Sequence, residues 1–257
     1  MTAPPDRLLQ LRNVSRAFGG MRANDDVSFA LLAGDRVALI GPNGAGKTTL
    51  VNVISGHLRP SSGTIVIAGV DMTRASIGSR VDAGLVRTFQ ITRLFTSLTV
   101  AENVGLAVMQ RRGLTRQVLS SPLERADVRG AWQPVLERLG IGHLARARVS
   151  ELAYGQQRLV DLAIGLARDP KVLILDEPAA GVPAEESVRI IAAIERLPPG
   201  IAVMMIEHDM DLVFRFARRV LVLAGGRLIF QGTPDEVARD GDVRRAYLGS
   251  YDVRRAS

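Results

Sequence analysis

Residues 41–49 read GPNGAGKTT, and no other stretch of the chain narrows its fold as sharply. They fit the pattern G-x-x-x-x-G-K-[ST], with Gly41, Gly46, Lys47 and Thr48 in the defining places. Pro42, Asn43, Gly44 and Ala45 fill the loop, and Thr49 follows it. Glycines let successive backbone N–H groups curl around an anion. The flanks suit that task. The run at 35–41 (DRVALIG) is short, apolar and ends in Gly, so it reads as a buried strand entering a turn. The run at 48–56 (TTLVNVISG) has helical spacing and stops at Gly56. A helix that starts at the loop aims its partial positive charge at the anion. Lys47 is then set to reach β- and γ-phosphates, and Thr48 to offer a hydroxyl to Mg²⁺.

Composition sharpens the reading of Lys47. The chain has 33 Lys plus Arg, but only Lys47 and Lys171 are Lys. One of these two stands where a compact ammonium fits among phosphates and the broad fork of Arg would not. The formal net charge of +7 raises nucleic acid or an anionic membrane as partners. The Arg residues are spread along the chain, however, which favours a solvated surface. The densest patches, at 111–116 and in the C-terminal VRRAS, read the same way. The absence of Cys excludes disulfides, Cys-ligated zinc and a thiol nucleophile, and three His leave little for a His-based metal site. With 47% hydrophobic residues and 257 in all, the chain suits one large domain or a core with a subdomain. The longest apolar runs, such as 201–206, fall far short of the roughly 18–20 residues of a membrane span. The start has no signal-peptide character, so a soluble cytoplasmic protein is expected.

Strands are expected at 8–14 and 26–32, and 61–72 reads as a hairpin strand with turn residues on both sides. The stretch 95–165 favours helix, with Pro122, Pro134 and Gly140 as punctuation. Strands at 171–178, 201–208, 219–226 and 227–232 then alternate with helices at 184–197 and 209–218. That alternation predicts an α/β fold with a largely parallel sheet. The helical middle reads as an inserted subdomain of about 93–159, within a core lobe of about 1–92 and 160–257.

A phosphate loop needs a metal-binding acid at the end of a second strand. The run VLILDE (172–177) supplies it: Asp176 emerges where doubly wound sheets bind ligands. It would hold Mg²⁺ through water, and Glu177 would orient the attacking water. Kinases, GTPases, helicases and transport ATPases share this pair, so the pair alone does not choose among them.

The stretch at 151–170, ELAYGQQRLVDLAIGLARDP, resembles the signature of ABC ATPases, whose usual form is LSGGQ. Here it reads Leu152, Ala153, Tyr154, Gly155, Gln156, with a helix expected near Gln156. The resemblance covers nearly the whole chain, with six motifs in the family's order. Phe18 sits where the family places an adenine-stacking aromatic. Gln90 in VRTFQ matches the Q-loop, VPAEE after DEPAAG follows the D-loop, and His208 in IEHDM matches the switch histidine. The tail AGGRLIFQGTPDEV looks like the family's closing strands.

The resemblance implies a P-loop NTPase core of RecA type, with an antiparallel β subdomain and an inserted α-helical subdomain. It implies ATP and Mg²⁺, the metal being held by Thr48, Gln90 and Asp176. It implies a head-to-tail homo- or heterodimer in which the signature of one chain faces the γ-phosphate bound by the other. Glu177, His208 and Gln90 would carry the catalysis. Two departures stand out. Ala153 replaces the usual Ser and removes one hydroxyl contact, though the backbone donors remain. AAGVPAEE lacks the usual D-loop acid or Asn.

LAYGQQR, DEPAAG and RTFQITRLF together look like the ATPase of bacterial branched-chain (hydrophobic) amino acid importers. In those systems a second ATPase subunit, two membrane permeases and a periplasmic solute-binding protein complete the assembly, at the cytoplasmic face of the inner membrane. Related subunits serve urea, amides or lipopolysaccharide export. Other members of the family act on nucleic acid, but those carry long coiled coils or a second ATPase core. Neither is present here, so no nucleic-acid partner is expected.

Overall fold

The computed structural model describes residues 7–88, 94–114 and 126–246. Its centre is a six-stranded sheet. Five strands are parallel: β3 (Arg36–Ile40), β6 (Leu85–Arg87), β7 (Val172–Asp176), β8 (Ala202–Ile206) and β9 (Arg219–Ala224). The sixth, β10 (Arg227–Gly232), runs antiparallel to β9. The order is β10-β9-β3-β8-β7-β6. The middle strands are apolar on both faces because each feeds two cores. Ala38, Ile40, Leu173, Leu175, Val203 and Met205 pack into one. Their neighbours Val37, Leu39, Val172, Ile174, Ala202 and Met204 pack into the other. A sheet covered on both sides produces continuous apolar runs instead of alternation, as these strands have.

The second core lies beneath an antiparallel sheet of order β2-β1-β4-β5. It comprises β1 (Arg7–Phe18), β2 (Met21–Leu32), β4 (Ser62–Ile67) and β5 (Val70–Asp71). The span 61–72, expected as one hairpin strand, holds the antiparallel pair β4–β5 with the turn at Ala68 and Gly69 inside it. Helix α1 (Lys47–Ser55) packs Leu50, Val51, Val53 and Ile54 into the same core. Its C-terminus is closed by Gly56 in the left-handed region and by Arg80 of α2 (Ile77–Asp82). The fully buried Arg80 guanidinium donates to the carbonyls of Val53 and Ile54, both at 2.6 Å, and to that of Thr73 at 3.1 Å. A cation on orphan helix-end carbonyls offsets its own desolvation. Arg80→Met is therefore expected to lower stability by about 2–4 kcal/mol, because two buried acceptors and a half-buried one lose a charged donor. Urea denaturation checks this, and a loss below about 0.5 kcal/mol, the ordinary range for a surface change, would contradict it.

The first core continues into a helical layer of α3 (Val100–Arg111), α4 (Ala126–Arg138) and α5 (Tyr154–Ala167). A reciprocal cap starts α3: Glu102 N–H donates to Thr99 Oγ1 at 3.2 Å, and Thr99 N–H to Glu102 Oε2 at 2.6 Å. Pro134, expected to punctuate, lies inside α4. Its ring removes one N–H from the ladder. The acceptor that loses it belongs to Gly130, an exposed residue that water can reach. Val128 and Leu136 are fully buried, and Trp132 and Val135 pack beside them, so burial holds the helix through the proline. The expected boundary at 159/160 falls within α5, an unbroken helix.

Helices α6 (Ala184–Glu195) and α7 (Met210–Phe216) cover the same face of the large sheet, contributing Ile190, Ile191, Ile194, Met210 and Val213 to its core. Helices α8 (Pro234–Arg239) and α9 (Gly241–Ala246) follow β10. The tail thus closes in helix as well as strand.

Candidate functional site

The glycine-rich loop leaves the C-terminal end of β3 and enters α1, as its sequence predicts. Two glycines are required by close approach. A Cβ on Gly41 would lie 2.1 Å from the Leu223 carbonyl oxygen, and one on Gly46 (φ +98°) 2.2 Å from that of Ala23. Both obstacles are backbone and cannot swing away. The α1 ladder begins with Leu50 N–H donating to Gly46 O at 2.9 Å. The N–H groups of Lys47, Thr48 and Thr49 lie ahead of it and form an anion seat. The loop is braced from behind. Gly226 N–H donates to Ala45 O at 3.0 Å, and Asn24 Nδ2 to Gly46 O at 3.1 Å. Pro42 is half-buried and Ala45 buried, while Asn43, Gly44 and Thr48 are exposed. Lys47 Nζ lies back on the loop and donates to the carbonyls of Gly41 (2.5 Å) and Pro42 (3.0 Å). Burial lowers the Lys47 pKa, and the charge of Glu177 pulls it back up.

The strand ends β7 and β8 bring three predicted residues together. Asp176 closes β7 opposite Ile206. Glu177 follows with φ +47°, a left-handed backbone unusual for a residue with a side chain. Its N–H donates to Ile206 O at 3.0 Å, which holds the turn. His208 Nδ1 stands 3.9 Å from Glu177 Oε1 and 3.8 Å from Glu207 Oε2. The His208 side chain is 68% exposed, open to a ligand. Asp209 caps α7 by accepting from Asp211 N–H at 2.9 Å, which fixes the turn carrying His208. Asp176 is paired with Arg87: Nη2 to Oδ2 is 2.5 Å, with both side chains nearly buried.

Among the described residues, no group of three or more His, Asp or Glu could hold a metal ion by itself. Mg²⁺ at a phosphate site needs less: one or two protein oxygens, with phosphate and water completing the shell. The exposed Thr48 hydroxyl and the Asp176 carboxylate are donors of that kind.

The signature segment forms the start of α5, which begins at Tyr154, two residues before the expected Gln156. Leu152 is buried. Ala153 is the N-cap and offers no side-chain cap, while its own N–H donates to Gln156 Oε1 at 3.0 Å. Gly155 N–H donates to Glu186 Oε2 at 3.1 Å. Tyr154 is half exposed, with the Arg158 guanidinium carbon 5.0 Å from its ring centroid. The signature is thereby tied to α6 of its own chain.

Phe18 ends β1, exposed, with the Arg16 guanidinium 4.5 Å from its ring centroid. It shares the β1–β2 hairpin with Ala23 and Asn24, which lie against Gly46. Gln90 lies outside the described residues.

Three polar residues at the site escaped the sequence reading as individuals. Arg87 sat within the VRTFQ motif, Glu186 within VPAEE, and Glu207 immediately before His208. Burial raises the Glu207 pKa, partly offset by the His208 N–H at 3.1 Å from Oε2. An acid in the run MMIEHD was the available signal.

Residues 24–180 match the family described as ABC transporter, and residues 227–253 the one described as branched-chain amino acid ATP-binding cassette transporter. Among curated relatives, the high-affinity branched-chain amino acid transport ATP-binding protein LivG of Salmonella typhimurium is 38% identical, covering 94% of this chain and 98% of its own. BraF of Pseudomonas aeruginosa, described in the same words, is 35% identical over 94% and 98%. The crystal structure of the ADP conformation of an ATP-binding cassette of an ABC transporter superposes with a TM-score of 0.81 at 31% identity, over 95% of this chain and 99% of that one. With its phosphate loop, its acidic strand end and these relatives, the chain belongs to the ABC transporter family as an ATP-binding, ATP-hydrolysing subunit.

Proposed function

We propose that this chain energises the import of branched-chain and other hydrophobic amino acids. The observation that carries the reading is the end-to-end 38% identity to LivG, with the branched-chain family match at 227–253. In this reading 41–49 and Lys47 bind the phosphates of ATP, and Phe18 stacks on adenine. Thr48, Asp176 and Gln90 would hold Mg²⁺, which would neutralise phosphate charge when bound. Glu177 accepts the proton of the attacking water, and His208 beside it holds the water and the γ-phosphate in line. The left-handed Glu177 backbone, held by Ile206 O, sets where the side chain leaves the chain.

Leu152, Ala153, Tyr154, Gly155 and Gln156 meet the γ-phosphate bound by a second ATPase subunit, head to tail. Helix-start N–H groups supply the donors, since Ala153 has no hydroxyl, and the Gly155 N–H must exchange its bond to Glu186 for one to the phosphate. A core lobe of about 1–92 and 160–257 closes against the partner chain. The helical subdomain of about 93–159 meets two membrane permeases, which receive solute from a periplasmic binding protein. No described helix is long and apolar enough to cross a membrane. The chain is assigned as a peripheral subunit at the cytoplasmic face of the inner membrane, and nucleic acid has no part in this reading.

The test is uptake of radiolabelled leucine, isoleucine and valine by cells lacking this chain. Expression of the parent restores uptake, and Glu177→Gln does not. Normal leucine uptake in the deletion strain, with loss of urea or amide uptake instead, would overturn the solute assignment.

A further inference from the structure

One nearly buried charge at the site belongs to a residue with no role so far. Arg87, at the end of β6, is 9% exposed and pairs with Asp176, 12% exposed. Its two terminal nitrogens serve different elements. Nη2 donates to Asp176 Oδ2 at 2.5 Å, on β7. Nη1 donates to Asn52 Oδ1 at 2.7 Å, on α1, with Ser55 Oγ at 3.5 Å beside it. Asn52 follows Thr48 by four residues, so both lie on one face of α1, a single turn apart. One rigid guanidinium therefore spans the helix that carries Thr48 and the strand that carries Asp176.

A buried ion pair is weak evidence for stability, since desolvation consumes much of the attraction. What a planar fork supplies is geometry. Arg87 engages one oxygen of Asp176, which leaves the other for a metal-bound water. We propose that Arg87 is a positioning residue of the nucleotide site: it sets the spacing between Thr48 and Asp176 and so tunes the grip on Mg²⁺. The inference rests on the reading that these two residues face the metal. A displaceable cation that merely occupies Asp176 until Mg²⁺ arrives would not need the second anchor on Asn52.

Arg87→Lys keeps the positive charge but loses the planar fork that holds the two partners at a fixed spacing. The measurement is binding of a fluorescent ATP analogue to the purified chain, once in EDTA and once in Mg²⁺. Affinity in EDTA is expected to stay at the parent value, whereas the tightening produced by Mg²⁺ shrinks about tenfold, the scale of outer-shell changes at metal sites. Asn52→Ala, which leaves the Asp176 pair intact, shrinks it in the same direction by about threefold. It keeps the test open should Arg87→Lys fail to melt cooperatively. Equal weakening in EDTA and Mg²⁺ would reduce Arg87 to a structural role. Tighter Mg²⁺ response in Arg87→Lys would mean that Arg87 competes with the metal, and either result overturns the proposal. A parent that shows no metal response overturns the metal-site reading itself, whereas a responsive parent matched by equally responsive variants overturns only the role of Arg87.

Discussion

Lys47→Ala is expected to weaken ATP binding by about ten- to a hundredfold. Loss of a charge-assisted hydrogen bond to phosphate accounts for about 1.5–3 kcal/mol, and each 1.4 kcal/mol is tenfold. The ammonium is already in place, resting on the Gly41 and Pro42 carbonyls. It is also partly desolvated, since burial lowers its pKa. An arriving triphosphate therefore meets a cation short of water, and the attraction is stronger than at an open surface. The fold should survive, because the loop is braced independently by Gly226 and Asn24. Fluorescent-nucleotide titration reads the affinity, and thermal melting confirms that the variant is folded. Parent affinity in a folded variant would sink the phosphate-loop assignment.

Glu177→Gln is expected to lower hydrolysis by about 10²–10⁴-fold while leaving ATP binding intact, the range for removal of a positioned general base. Gln matches Glu in shape, so the turn held by Ile206 O and the left-handed backbone are retained. What disappears is the carboxylate 3.9 Å from His208, the proton acceptor of the proposed mechanism. His208→Ala leaves the carboxylate and should cost less than Glu177→Gln in the same phosphate-release assay. Hydrolysis at the parent rate in Glu177→Gln would remove Glu177 from the mechanism.

The inner strands β3, β7, β8 and β9 of the central sheet were legible in the sequence because they are buried on both faces and read as apolar runs. The loop and its two acids were legible because phosphate and metal chemistry fix residue types at fixed spacing. The elements that escaped are short or depend on remote neighbours. Strand β6 has three residues and α2 six, too few for a period to register. Strands β1 and β2 run to 12 residues each, beyond 8–14 and 26–32, because bulges break the alternation of β1 after Leu11 and again after Val14. Pro134 was read by its local cost, and the packing of Val128 and Leu136 outweighed it. Helix α8 had a readable start, since Thr233, Pro234 and Glu236 form a capping box with Pro at the first turn. Arg87 and Glu186 gain meaning only from partners 89 and 31 positions away, which no local pattern reports.

The claim at the centre is that one chain holds the phosphate and a second chain completes its site. Light scattering of Glu177→Gln with saturating Mg-ATP tests it directly. A mass twice the 27.7 kDa of the chain, falling back to that of one chain when ATP is withdrawn, is the predicted result. A monomer with ATP fully bound would contradict it.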